Sequence, residues 1–383
     1  MKKRTGLLIA LLALSVGAGL VLWTNGDEKS KAEASEIEDV QDVNGDSSGK
    51  EELLSEEISM EGLHELFFDK KYEDVIRLSE MKLKEAEVDD KIVVLLFRSY
   101  VETGKLKEAY ELVEAKSEVK DLAKHVKSAG VLAYQEENFE LAKAFLGKMK
   151  SINGAEDTLE FRKFGFTDIY KEFTFLETEH FRFYFQPESL VEDIESFAKT
   201  HEEAYVNIVS RLGNIELPKK VDSYIWDSED DINTYVGRDR SFAEPENTLT
   251  HFVYTMEPGH EMCHIIYYHF RNSHEGTRPN RFIEEGLATY FDQVDNNKLE
   301  IVKSIMKDAN IESVDVDKLW KSSQAFQLDY CIGATFLKYL EEQEGWEKLY
   351  AFLKDPTHRN FNAVYGEENL EKLKAGYEAL VNE

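Results

Sequence analysis

Cysteine is nearly absent from this chain: two occur in 383 residues, Cys263 and Cys331. A disulfide framework needs several pairs and is thereby excluded. Both cysteines fall in apolar helical patterns, where buried free thiols are expected. Proline is also scarce, with six in all and none before Pro187, so nothing in the first half of the chain interrupts a helical pattern. Cations are outnumbered, 46 Lys and Arg against 76 Asp and Glu, for a net charge of −30. No basic cluster follows Arg4. Phosphate binding requires clustered cations, so nucleic acid is not an expected partner, and the acidic excess reads as a solvated, self-repelling surface.

Histidine is scarce too, at ten residues, yet one stretch gathers several of them. Glu257 to Phe291 reads EPGHEMCHIIYYHFRNSHEGTRPNRFIEEGLATYF. His260, Glu261 and His264 stand there in the order H-E-x-x-H. Residues i and i+4 share one face of a helix, so two imidazoles can converge on one metal while the glutamate between them reaches a water held there. Pro258 suits a first helical turn, and Ile265, Ile266, Tyr267, Tyr268 and Phe270 continue an apolar run. The competing interpretation is a chance match in a buried helix whose histidines are merely hydrogen-bonded; a third ligand decides between the two.

A third histidine in the register H-E-x-x-H-x-x-G-x-x-H would fall at Phe270, and its glycine position holds Tyr267, so that arrangement is absent. His269 and His274 are out of register and read as surface or loop residues. A glutamate on a following helix is the other standard way to complete a His2Glu site with an open position for water. The pair Glu284 and Glu285 lies at the start of the next apolar segment.

HEMCH, then FIEEGLATYF, then YCIGATFLKYL resembles the gluzincin-type zinc metallopeptidases of the peptidase MA-like group and, more distantly, the M1 aminopeptidases. With FNAVYG before the last helix, the resemblance covers roughly residues 175 to 381. It implies an α+β fold, a thermolysin-like gluzincin catalytic domain with a small sheet and a helical lobe. It also implies Zn2+ held by His260, His264 and Glu285, with Glu261 as general base; Glu284 then faces elsewhere, because adjacent helical residues point about 100° apart. Tyr330, in Y-C-I-G with Gly333, matches the tyrosine that stabilises the oxyanion in those families, although Ile332 replaces a common lysine. A phenol donates to developing charge without adding an ion, but the residues alone equally fit a tyrosine packed at a helix end. Thr289, one turn after Glu285, is a candidate hydrogen-bond partner behind the ligands. No G-x-M-E-N motif lies upstream, so aminopeptidase activity is not implied.

The rest of the chain divides by composition. Lys2, Lys3 and Arg4 precede an apolar run from Leu7 to Trp23, which predicts, within 1–24, an uncleaved signal-anchor in the membrane with the bulk of the chain outside the cytoplasm; the alternative is a cleaved signal peptide and secretion. Residues 25–56 read as an acidic disordered linker. From 57 to 153 the pattern is all helical, and DKKYEDVIRLSE, TGKLKEAYELVE and EENFELAKAFLG align at Tyr72, Leu106 and Phe139, steps of 34 and 33 residues. Val75, Ala109 and Ala142 follow at the same offset. This resembles tetratricopeptide repeats, which here either bind a protein partner along their concave face or serve as a rigid spacer.

Residues 154–383 form the expected metallopeptidase domain. HFRFYFQ, VDSYIW and TLTHFVYT are its strand candidates, with a long helix after Pro187. By carry-over from the gluzincins, Thr248 to Thr255 is the edge strand that receives substrate along the cleft; His251 on it either lines the cleft or makes a strand-face hydrogen bond. Ser323–Gln343 is expected as the helix of Tyr330. The function expected is a zinc-dependent peptide-bond hydrolase, an endopeptidase acting on a peptide or protein outside the cytoplasmic membrane. The alternative is a catalytically inactive, membrane-tethered scaffold that binds peptides through its repeats.

Overall fold

The computed structural model describes residues 59–84, 89–153, 158–292, 297–308, 310–321 and 327–382. Its first part is three helical hairpins: Met60–Phe68 with Tyr72–Lys82, Asp90–Glu102 with Leu106–Ala115, and Ala123–Gln135 with Phe139–Asn153. Each closes in the same way. Lys70, Gly104 and Glu137 take positive φ of 59°, 71° and 60°, and the next amide reaches back over the turn: Lys71 to the Leu66 carbonyl at 2.9 Å, Lys105 to Tyr100 at 2.8 Å, and Asn138 to Ala133 at 2.8 Å. The left-handed residue satisfies carbonyls that the first helix leaves open. The small or branched Val75, Ala109 and Ala142 are fully buried, which lets the paired helices approach. Tetratricopeptide membership itself rests on the sequence resemblance alone.

The third hairpin sits on a mixed five-stranded sheet. The strands are β1 (Thr174–Glu177), β2 (Phe181–Phe185), β3 (Val221–Trp226), β4 (Phe242–Glu244) and β5 (Leu249–Val253), in the order β1-β2-β3-β5-β4. The central pairs are parallel and the two outer pairs antiparallel. A parallel pair needs a crossover, and the helix Ile194–Arg211 supplies it between β2 and β3. Phe181, Phe183 and Phe185 alternate into the core beneath that helix, whereas all six residues of β3 are buried because both faces of the sheet are covered.

The other face of the sheet carries the hairpins. Tyr134 stacks on Phe164 at 4.0 Å between ring centroids, and its hydroxyl donates to Asp222 Oδ2 of β3 at 2.7 Å. The same oxygen accepts from Lys219 Nζ at 2.7 Å, and Arg182 reaches Oδ1 at 3.2 Å. Lys219 and Asp222 side chains are each 1% exposed. A buried pair of this kind survives only when every remaining donor and acceptor is matched, and the Tyr134 hydroxyl completes the match from the repeat side. One hydrophobic core accordingly runs from Ile76 through Tyr134 to Trp226 and Leu249.

The fold corrects several expectations. Leu249–Val253 is not an edge strand: it pairs with β3 on one side and β4 on the other. The turn Pro245–Asn247, with Thr248 at φ 50°, folds Phe242–Glu244 back alongside it, so the free edge is β4. Three residues were too few to show as a strand in the sequence. His251 does not line a cleft. Fully buried, it accepts from Trp226 Nε1 at Nδ1 (3.1 Å) and donates from Nε2 to the Lys163 carbonyl (2.8 Å); burial lowers its pKa to about 3, so it stays neutral. The membrane-spanning helix expected at Leu7–Trp23 lies outside the described residues, as does the acidic linker. Among the described residues no helix is long and apolar enough to cross a membrane. That finding corrects the single-pass membrane topology, the membrane partner and the membrane location expected from the sequence.

Asp222→Ala would strand the Lys219 ammonium and the Tyr134 hydroxyl in the core. The expected cost is about 3–5 kcal/mol of unfolding free energy, read from the shift of a urea midpoint; a loss under about 1 kcal/mol would show that the hairpins do not depend on this contact.

Candidate metal centre

Three helices build the site. The motif helix His260–Ser273 packs against β4, β5 and the turn Pro245–Asn247. It begins at Gly259, whose φ of 108° and close approach to the Phe291 carbonyl (2.8 Å from an added Cβ) leave no room for a side chain. That approach puts the start of the motif helix against the end of the second helix, Arg281–Tyr290. Asn280 caps the second helix, accepting from the Ile283 amide at 3.0 Å. The third helix, Gln327–Glu344, packs on the second more extensively than any other pair described. A Cβ on Gly286 would lie 2.7 Å from the Gly333 Cα, so the two backbones touch where they cross.

The crossing brings together the residues that the sequence singled out. His260, His264 and Glu285 each offer one donor atom, all within 4.8 Å of one another. Glu285 Oε2 lies 3.5 Å from His260 Nε2 and 3.4 Å from His264 Nε2, and the three side chains are each 12% exposed. Zinc bound tetrahedrally at roughly 2.0–2.2 Å from N and O ligands separates those atoms by about 3.3–3.6 Å, so the donor set fits the ion in chemistry and the two distances from Glu285 fit its spacing. Among the described residues Glu284 contributes nothing to this cluster. His269 faces the Pro245 carbonyl and His274 the Phe270 carbonyl, away from the ligands. Cys263 and Cys331 are free thiols, and burial raises the pKa of each.

Charge and burial act on the cluster in opposite senses. Burial works against protonation of His260, but Asp292 and Glu285 outweigh it and push the imidazole up to about 10. His264 is raised in the same way, chiefly by Glu285 against the penalty of burial. Burial alone would raise the Glu285 carboxyl; the two histidines instead hold it well below the usual carboxylate range. Glu261 is 8% exposed. Burial pushes its pKa up, opposed by His264 and His260.

Two functional neighbours were missed in the sequence. Asp292 Oδ1 is 3.3 Å from His260 Nδ1; the approach is off-line, so that oxygen makes no well-aligned hydrogen bond. The group facing His260 Nδ1 is thus the Asp292 carboxylate, two residues past the end of the helix Arg281–Tyr290, where helical spacing from Glu285 gives no guide. The second is Arg281. Its Nε lies 3.4 Å from Glu285 Oε1, and its Nη2 donates to the Tyr330 hydroxyl at 3.4 Å. Tyr330 itself stands at the rim, its ring centroid 6.2 Å from that of His260.

No protein-family model matches the chain, and no curated protein matches it. Neither the MA-like group nor the M1 family is shown by homology; the chain carries a His2Glu, metal-binding-like cluster on an H-E-x-x-H helix beside a small mixed sheet, consistent with a gluzincin-type catalytic domain.

The full chain is expected to take up about one zinc, measured by elemental analysis after dialysis, with H264A losing most of it. D292A should weaken zinc binding by roughly 10–100-fold in competition with a chelator. Zinc retained undiminished by H264A would refute the ligand set.

Proposed function

We propose that this protein is a zinc-dependent peptide-bond hydrolase of the gluzincin type, working as an endopeptidase. The observation that carries the reading is the convergence of His260, His264 and Glu285 on one point, with Glu285 Oε2 3.5 and 3.4 Å from the two imidazoles and the carboxylate of Glu261 buried on the same helix. Bound there, zinc would supply Lewis acidity toward a water and a carbonyl oxygen.

The protein's own groups do the remaining work. The Glu261 carboxylate takes the proton of the attacking water and passes it to the departing amine nitrogen. Burial favours its protonated form, which brings its affinity for the proton closer to what both transfers need. The Asp292 carboxylate faces the Nδ1–H of His260 and so turns Nε2 toward the cluster. The Tyr330 phenol donates a hydrogen bond to charge developing on the carbonyl oxygen. The free edge of β4, packed beside the motif helix, offers unpaired main-chain groups to an extended substrate. An internal peptide bond fits best, because the chain has no G-x-M-E-N segment to hold a free amino terminus.

The three hairpins act in this reading as tetratricopeptide-like buttresses of the catalytic domain. The seating of Tyr134 on Asp222 supports that role over a free peptide-binding array. The clustering of His260, His264 and Glu285, with Glu261 on the same helix, supports the hydrolase over a catalytically inactive scaffold.

E261Q removes the base while keeping the side chain's size. It should retain zinc, and its cleavage of internally quenched peptides with blocked termini should fall at least about a hundredfold. Y330F should lose less, since one donor is deleted and the ligand set is untouched. Equal rates for E261Q and wild type would remove Glu261 from the mechanism.

A further inference from the structure

Arg281 has no part in the reaction as described, yet it touches two of its groups. It stands on the first turn of Arg281–Tyr290, four residues before Glu285, so the two side chains share a face. Its guanidinium is 46% exposed and makes the contacts already described, with Glu285 Oε1 through Nε and with the Tyr330 hydroxyl through Nη2. The Glu285 oxygen that faces the two imidazoles is the other one, Oε2. Arg281 therefore holds the outward oxygen and leaves the inward one to the ligand cluster.

An exposed ion pair by itself adds little to stability, so a surface salt bridge between Arg281 and Glu285 would be dispensable. The second contact changes the reading, because Tyr330 belongs to a different helix. A guanidinium presents several N–H groups in one rigid plane and can bridge two acceptors at fixed separation; an ammonium on a flexible stem cannot hold both in register. A phenol oxygen that accepts from a cation also has its own proton left for another acceptor, and its donor strength is increased by the bond it accepts. Arg240, on the loop before β4, lies within electrostatic range of both Tyr330 and Arg281. Its guanidinium is engaged with Asp239 instead, at 3.3 Å, so it does not compete for the phenol.

We propose that Arg281 is a positioning residue: its guanidinium ties the outer oxygen of Glu285 to the phenol of Tyr330, turning Oε2 toward the imidazole pair and leaving the phenolic proton for the substrate carbonyl oxygen. The consequence for catalysis rests on the hydrolase reading. The tie between Arg281 and Tyr330 does not, and the experiment has an arm for each.

The first arm uses the full chain labelled with carbon-13 at tyrosine Cζ, with the Tyr330 resonance identified by its loss in Y330F. R281M is expected to shift that resonance and R281K to shift it less. A Tyr330 signal unmoved in R281M overturns the proposal, whether or not the protein cleaves anything. The second arm measures kcat and KM on a blocked, internally quenched peptide for wild type, R281M, Y330F and R281M/Y330F. R281M should lower kcat roughly tenfold with KM little changed, and R281K should recover part of the loss. Added to Y330F, R281M should cost clearly less than it does in the wild type, since one of its two partners is already gone. The same cost in both backgrounds would show that Arg281 does not act through Tyr330. A chain that binds zinc but cleaves no peptide counts against the hydrolase reading, while the resonance still decides whether the tie exists.

Discussion

The contact on which the site depends is between two backbones. Gly286 and Gly333 meet where their helices cross, and neither has room for a Cβ: one on Gly286 would lie 2.7 Å from the Gly333 Cα, one on Gly333 2.6 Å from the Phe282 carbonyl oxygen. Helices usually pack with axes about 8–10 Å apart because side chains separate them; a glycine at each surface removes that spacer. Glu285 is the residue before one glycine and Tyr330 lies three before the other. Their separation is thus set by main chain rather than by flexible side chains, and the Arg281 guanidinium lies between them. Gly259 does the same for the first helix by admitting the Phe291 carbonyl, which leaves Asp292 beside His260.

Within that frame the charges are balanced against one another. Two histidines stand among Glu261, Glu285 and Asp292 in a largely buried site. Burial opposes a charge on His260 and His264, and the neighbouring carboxylates outweigh it and raise both imidazoles. A divalent cation held there would need neutral imidazole and would displace any protons on the pair. The same carboxylates that raise the histidines would also attract such an ion. Proton and metal compete for one set of lone pairs, and folding has already met the desolvation cost of gathering them.

The helical hairpins contribute at a distance. They touch none of the metal ligands, but Tyr134 closes the hydrogen bonding of the buried Lys219–Asp222 pair on β3, two strands from the free edge at β4. The sheet is covered on one face by the helix Ile194–Arg211 and on the other by the third hairpin, which makes the repeats part of the support for the strands beside the motif helix.

What the sequence by itself determined is whatever depends on local periodicity. The i, i+4 spacing put His260 and His264 on one helix face with Glu261 between them, the alternation of Phe181, Phe183 and Phe185 marked a half-buried strand, and the steps between Tyr72, Leu106 and Phe139 marked recurring helix starts. Glu285 was separable from Glu284 only through resemblance to a family, because each of two adjacent helical residues faces some neighbour and the helix alone does not say which. Tertiary structure made the remaining choices. It brought Glu285 to the histidines, set Asp292 behind His260, laid Arg281 across Glu285 and Tyr330, buried His251 against Trp226 and moved the sheet edge from Leu249–Val253 to Phe242–Glu244. The physical reason is that a residue's own segment fixes the direction in which its side chain leaves the backbone, while what it meets there depends on how closely two distant segments pack, and that was decided by the glycines at the crossings.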